Sequence, residues 1–86
     1  MAYAIAPSRQ FDKNTKHLRK KEPETLKQLM LKIERISQDP YHSGHPLRSK
    51  YGEVWETHIK NNILVYKIEE STKTVELLSY IDHDML

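Results

Sequence analysis

The sequence contains no cysteine. Disulfides and thiolate metal sites are therefore excluded, and the usage suits a reducing compartment such as the cytoplasm. No apolar run approaches the roughly 20 residues of a membrane-spanning helix. The apolar stretch from Ala2 to Ala6 is too short for a signal peptide, and no basic segment precedes it. Repeats, low-complexity tracts and long linkers are missing as well. With 86 residues, residues 1–86 are read as a single domain with a small core and modest stability. Net charge is only +2, which says little about partners. These absences predict a soluble cytoplasmic protein without membrane association.

What charge there is lies unevenly. Arg9, Lys13, Lys16, Arg19, Lys20 and Lys21 face only Asp12 over the same stretch. Such a stripe is either a solvated helix face or a surface that attracts a polyanion. Tyr3 and Ile5 belong to a short apolar segment ended by Pro7, which reads as a first strand. Ser8 reads as a helix N-cap, with a helix running to about Lys20 and Phe11, Thr15 and Leu18 on one face. Glu22-Pro23-Glu24 starts a second helix, since proline and acidic residues suit the first turn. Leu26, Leu29, Met30, Ile33 and Ile36 supply its apolar stripe, and Asp39-Pro40 ends it. The short link at Lys21-Glu22 implies an antiparallel helical hairpin. Tyr41 to Tyr51, with Gly44, Pro46 and two serines, reads as a loop.

Three strand-length apolar runs follow: Glu53 to Ile59, Ile63 to Ile68 and Val75 to Ile81. Lys60-Asn61-Asn62 and Glu70 to Lys73 are short enough for hairpins, so the runs form an antiparallel meander. In the first, Trp55, Thr57 and Ile59 alternate with Val54, Glu56 and His58, which places His58 away from a core built on the Trp55 face. The expected fold class is α+β. An N-terminal strand and a two-helix hairpin pack on one face of a small antiparallel sheet that ends in the meander.

Histidines mark the margins of this sheet: His45 before it, His58 in its first strand and His83 after its third. Imidazole exchanges protons near neutral pH, which suits acid–base work. Each histidine also has a plain reading, as a turn residue, a surface strand residue or a residue near the chain end. Trp55 and Tyr66 read as cross-strand packing. His42-x-x-His45 with His58 has metal-like spacing, but it is loose and lacks a cysteine or carboxylate to complete it, so no metal is expected.

The ordered set of motifs resembles the RelE/ParE superfamily of type II toxin–antitoxin toxins. His45-Pro46-Leu47 is similar to the family's Pro-Leu segment ahead of the sheet. Gly52 to Ile59 (GEVWETHI), Ile63 to Glu69 (ILVYKIE) and the terminal DHDML are similar to its strand and tail motifs. The histidines at 45, 58 and 83 look most like the YafQ branch. In that pattern a strand arginine stands where this chain has Ile63. A basic residue stands where it has Ser79.

The resemblance implies a metal-independent, ribosome-dependent mRNA endoribonuclease that inhibits translation, needs no cofactor and is neutralised by a cognate antitoxin. The toxin–antitoxin complex is expected to bind operator DNA through the antitoxin. His83 and His58 are the expected acid–base pair, aided by His45. Arg48, Lys50 and Lys60 are expected to supply charge to the phosphate. Lys13, Lys16, Arg19 and Lys20 are expected to lie on ribosomal RNA. Two other readings share this fold, since fold does not fix activity. One is a ParE-like gyrase inhibitor that cleaves nothing. The other is a degenerate toxin retained as an antitoxin-binding partner.

Overall fold

The computed structural model describes residues 2–49 and 52–82. Strand β1 (Ala4–Pro7) leads into helices α1 (Arg9–Thr15), α2 (Leu18–Lys21) and α3 (Pro23–Gln38). Strands β2 (His45–Ser49), β3 (Gly52–Ile59), β4 (Asn62–Glu69) and β5 (Thr74–Asp82) follow, with a 3-10 turn at Glu70–Thr72. The five strands form one sheet in the order β1-β5-β4-β3-β2. This is the α+β layout expected from the sequence.

The sheet is mixed rather than antiparallel throughout. β1 lies parallel to β5, with Ile5 opposite Val75 and Pro7 opposite Leu77. The helices carry the chain away from β1 before it returns through β2, β3 and β4, so β1 and β5 run the same way. β1 is an edge strand, where the missing N–H of Pro7 costs no ladder bond. Backbone bonds extend the seam: Ala4 N donates to Lys73 O at 2.9 Å and Ser8 N to Leu77 O at 2.9 Å.

Ser8 is the N-cap of α1, and its Oγ accepts from Phe11 N at 3.0 Å. The same hydroxyl donates to Leu78 O at 2.8 Å. Leu78 is the extra residue of a bulge, because Val65 pairs with Ser79 while Tyr66 pairs with Leu77. One side chain thus caps the helix and satisfies the carbonyl that the bulge leaves over. Asn14 adds a second tie, accepting from Tyr80 N at 3.1 Å.

The expected helix from Ser8 to Lys20 is two helices, because the chain turns at Lys16-His17. Thr15 Oγ1 donates back to Phe11 O at 3.0 Å, a bond that competes with the helical ladder and bends it. Phe11 and Leu18 still enter the core as their spacing predicts. In α3, Leu29 and Ile36 are fully buried. Each contributes about 1.5–3 kcal/mol relative to exposure. Leu26 and Ile33 pack beside them. Met30, expected in the stripe, is 58% exposed, and its neighbour Leu31 is 59% exposed. The helices meet Ile59, Leu64, Tyr66, Val75, Leu77 and Tyr80 of the sheet in one core.

A further correction concerns the loop from Tyr41 to Tyr51. His45–Ser49 is a strand, pairing with β3 from His45 opposite Glu56 to Ser49 opposite Gly52. Pro46 misled the reading: it breaks central strands, but β2 is the other edge of the sheet and tolerates it. The meander itself stands where its apolar runs place it. Among the described residues no helix is long and apolar enough to cross a membrane.

Candidate active site

Strand pairing puts His45, Glu56, His58, Ile63 and Ile81 on one face of the sheet. His45 lies opposite Glu56, His58 opposite Ile63, and Ile63 opposite Ile81. His45 and His58 are exposed there, whereas Ile63 is 1% exposed. β2 stops at the Glu56 register, so Thr57 and His58 run on past its end. A cleft of about 320 Å³ opens at this step. His42, Ser43, Gly44 and His45 form one wall, Thr57 and His58 another, and Lys32 of α3 closes it. None of these lining residues is a carboxylate.

The wall from His42 to His45 is held firmly. Tyr66 Oη, in the core, donates to Pro40 O at 2.8 Å. Burial pushes the Tyr66 hydroxyl up to about 12, with the Asp39 charge adding to it. Ser43 Oγ donates to Asp39 O at 2.6 Å. The His42 ring meets Asp39 through Nδ1 at 2.9 Å from Oδ1. Gly44 approaches the sheet closely. A Cβ there would lie 2.5 Å from Glu56 O and 2.7 Å from Tyr66 Oη. Only glycine fits without moving backbone.

Trp55 stacks on its cross-strand partner Tyr66, with ring centroids 6.4 Å apart and planes at 20°. Tyr41 meets Trp55 edge-on at 5.7 Å. The two residues pack as expected from the sequence, and Tyr41 extends their stack. The Tyr41 hydroxyl then donates to Glu70 Oε2 at 2.7 Å, as does that of Tyr3. Lys73 also pairs with Glu70. Together Lys73, Tyr3 and Tyr41 hold the Glu70 carboxyl down to about 2. Hydrogen bonding to this carboxylate pushes Tyr41 up to about 12.

The expected site residues thus divide. His45 and His58 share the cleft. Arg48 lies on β2 opposite Glu53. Lys50 and His83 lie outside the described residues. Lys60 occupies the β3–β4 turn with φ 56°, and its Nζ donates to Thr25 Oγ1 at 3.1 Å, away from the cleft lining. Lys13, Lys16, Arg19 and Lys20 are exposed on α1, α2 and the turn between them. They do not line the cleft. His42, His45 and His58 share it, yet among the described residues no group of three or more His, Cys, Asp or Glu side chains is placed to hold a metal.

Sequence reasoning passed over Lys32 and weighed His42 only as one of three loosely spaced metal ligands. A signal for Lys32 existed. It stands three residues after Leu29 and four before Ile36, on the buried side of α3, and it is half-buried. For His42 the signal was weaker: Asp39 three residues earlier, at the end of a helix.

The chain matches the family described as the bacterial toxin of type II toxin–antitoxin systems, YafQ, over residues 3–86. A toxin named RelE4 from Methanocaldococcus jannaschii is 35% identical over 81 residues, which are 93% of this chain and 83% of that relative. The structure is similar to that of YafQ from E. coli (TM-score 0.67, 25% identity, 96% of each chain covered). It also shares the fold of a chain in the archaeal RelE–RelB complex from Pyrococcus horikoshii (TM-score 0.78, 11% identity, 100% of each chain covered).

Proposed function

Because the chain belongs to the YafQ family of type II toxin–antitoxin toxins, we propose that it is a ribosome-dependent mRNA endoribonuclease that works without a metal. The observation that carries this reading is the cleft that His45 and His58 share, with no carboxylate among its described lining residues. A binding protein that cleaves nothing has no need of two imidazoles and a lysine around one cleft.

The reaction is attack of the ribose 2′-oxygen on the adjacent phosphorus. A base removes the 2′-OH proton, the P–O5′ bond breaks, and an acid protonates the leaving 5′-oxygen. The products are a 2′,3′-cyclic phosphate and a 5′-hydroxyl end. His58 and His83 are assigned as the acid–base pair and His45 as their aid, each role contributing about 10²–10⁴-fold. Arg48 and Lys50 follow His45 in the chain and add positive charge. Lys13, Lys16, Arg19 and Lys20 contact ribosomal RNA phosphates, which position the toxin without reading sequence. All of this takes place in the cytoplasm, where ribosomes are.

The neutralising partner is an antitoxin, a reading that the family's description as toxins of type II toxin–antitoxin systems supports. Its apolar segment is assigned to the outer face of α3. There Pro23, Leu26, Met30, Leu31 and Ile33 line a groove of about 540 Å³ beside Lys27 and Glu34. The complex binds operator DNA through the antitoxin.

Induction of the wild type and of His58→Ala, with primer extension on a translated reporter mRNA, tests the nuclease reading. Growth arrest with cuts inside codons, lost in folded His58→Ala, is the expected result. Arrest with intact mRNA rejects it.

A further inference from the structure

We infer that Lys32 and His42 form the phosphate-holding half of the cleft, a subsite for the phosphodiester on which His45 and His58 act; its RNA identity rests on the nuclease reading above, its anion binding does not. Lys32 is the sole lysine or arginine among the described lining residues. Its position between Leu29 and Ile36 makes it half-buried. The stem of a lysine so placed covers apolar surface while its ammonium seeks a polar exit. Among the described residues no carboxylate lies within ion-pair distance of it. Lys73 is bound to Glu70 and Lys60 to Thr25, so neither is available in the same way.

His42 brings a second group. Its Nδ1 is engaged by Asp39, which leaves Nε2 for another partner. A carboxylate on one ring nitrogen orients an imidazole. Asp39 is bonded to the loop besides, through its own carbonyl and Ser43. The ring is therefore attached to a wall that Tyr66 and Gly44 hold against the sheet. Other charges near the cleft are Asp39 itself, Arg35, whose carbonyl accepts from Ser43 Oγ at 3.4 Å, and Glu56 across from His45.

The need for such a pair is visible on the sheet. In the attack, negative charge grows on the two non-bridging phosphate oxygens, and a fixed cation beside them is worth far more than one in water. On the face carrying His45 and His58, the one lysine of β4, Lys67, stands in register with Glu76 and does not line the cleft. Ile63 lies opposite His58, 1% exposed, and Ser79 of β5 is uncharged. Lys32 reaches the same phosphate from the helix side. One cation on the helix, one oriented ring on the loop and two imidazoles at the step of the sheet surround a tetrahedral anion.

The test separates anion binding from cleavage. Inorganic phosphate is titrated into the toxin while the imidazole ¹H–¹⁵N signals of His42, His45 and His58 are followed. Expected is a saturable shift in the wild type, weakened about tenfold or more in Lys32→Gln and largely kept in Lys32→Arg. Unmoved signals, or equal binding in folded Lys32→Gln, overturn the subsite. Lys32→Met serves in the same way if Lys32→Gln does not fold. On ribosomes programmed with mRNA, Lys32→Gln is expected to cut about 10²–10³-fold more slowly, the scale of losing one transition-state donor. Equal cutting by wild type and Lys32→Gln also overturns the proposal and leaves the nuclease reading intact. Phosphate binding through Lys32 in a toxin that cuts no mRNA rejects the nuclease reading and keeps the anion subsite.

Discussion

The hydroxyl of Tyr66, wholly inside the core, donates to the carbonyl of Pro40 at 2.8 Å. This bond joins the central strand β4 to the loop that carries His42 and His45. Tyr66→Phe removes the donor and leaves a buried carbonyl unpaired, at a cost of about 1–3 kcal/mol. Urea unfolding is expected to show the lower midpoint. Cleavage is expected to fall with it, because the loop is released from the sheet.

Gly44→Ala is the sharper version of that experiment. The added methyl would meet the Glu56 carbonyl at 2.5 Å, and backbone cannot move aside cheaply. Overpacking of this kind costs about 1–3 kcal/mol. The variant is expected to fold, to lose phosphate-dependent shifts of His42 and His45, and to lose toxicity. Retained toxicity would show that the loop's seat on β3 is not needed for the site.

Glu70 provides a pH test of the far side of the sheet. Its folded value, about 2, lies below its ordinary 4.5 because Lys73, Tyr3 and Tyr41 all favour the carboxylate. Its contribution to stability is therefore complete above about pH 4.5 and is lost as pH falls toward about 2. In Glu70→Gln, stability is expected to be lower than wild type at neutral pH, with the gap closing through that acid window. Thermal melts of both proteins at a series of pH values measure it.

Lys60 is tied to Thr25, which is 5% exposed, near the start of α3. Lys60→Met is expected to lower stability by less than about 1 kcal/mol, as for exposed charged contacts, and to leave the cutting rate unchanged. A large loss of cutting with stability intact would return this lysine to the phosphate.

The outer face of α3 is expected to decide neutralisation rather than toxicity. Met30→Glu and Leu31→Glu place charge on side chains that are 58% and 59% exposed, so the fold should persist. Antitoxin affinity, measured by calorimetry, is expected to drop while free-toxin arrest continues. Unchanged affinity would move the antitoxin off this face.

Much of this was legible from local pattern. The meander followed from β-rich runs of strand length with short breaks between them. α3 followed from Leu26, Leu29, Ile33 and Ile36. Ser8 announced its cap. His45 and His58 stood out because histidine in and beside a strand needs explaining. The misses share a cause. Pro46 forbids only a central strand, and nothing in its neighbours says that β2 is an edge. The turn at Lys16-His17 follows a hydroxyl of Thr15 bonding back to Phe11, a choice open to any threonine in a helix. Met30 matched the helical period but fell on the side that meets solvent.

By itself, then, the sequence determined the elements, the family motifs and the chemical types present, because these depend on periodicity and composition over a few residues at a time. Tertiary structure decided which of those residues meet. β1 is parallel to β5 because three helices intervene before the chain returns. Lys60 turns to Thr25 while Lys32, unnoticed in the sequence, lines the cleft with His42, His45 and His58. Lys60 and Thr25 are 35 positions apart, and the residues of the cleft come from a helix, a loop and a strand, so their meeting is set by packing around Tyr66, Gly44 and the end of β2, which no local pattern encodes.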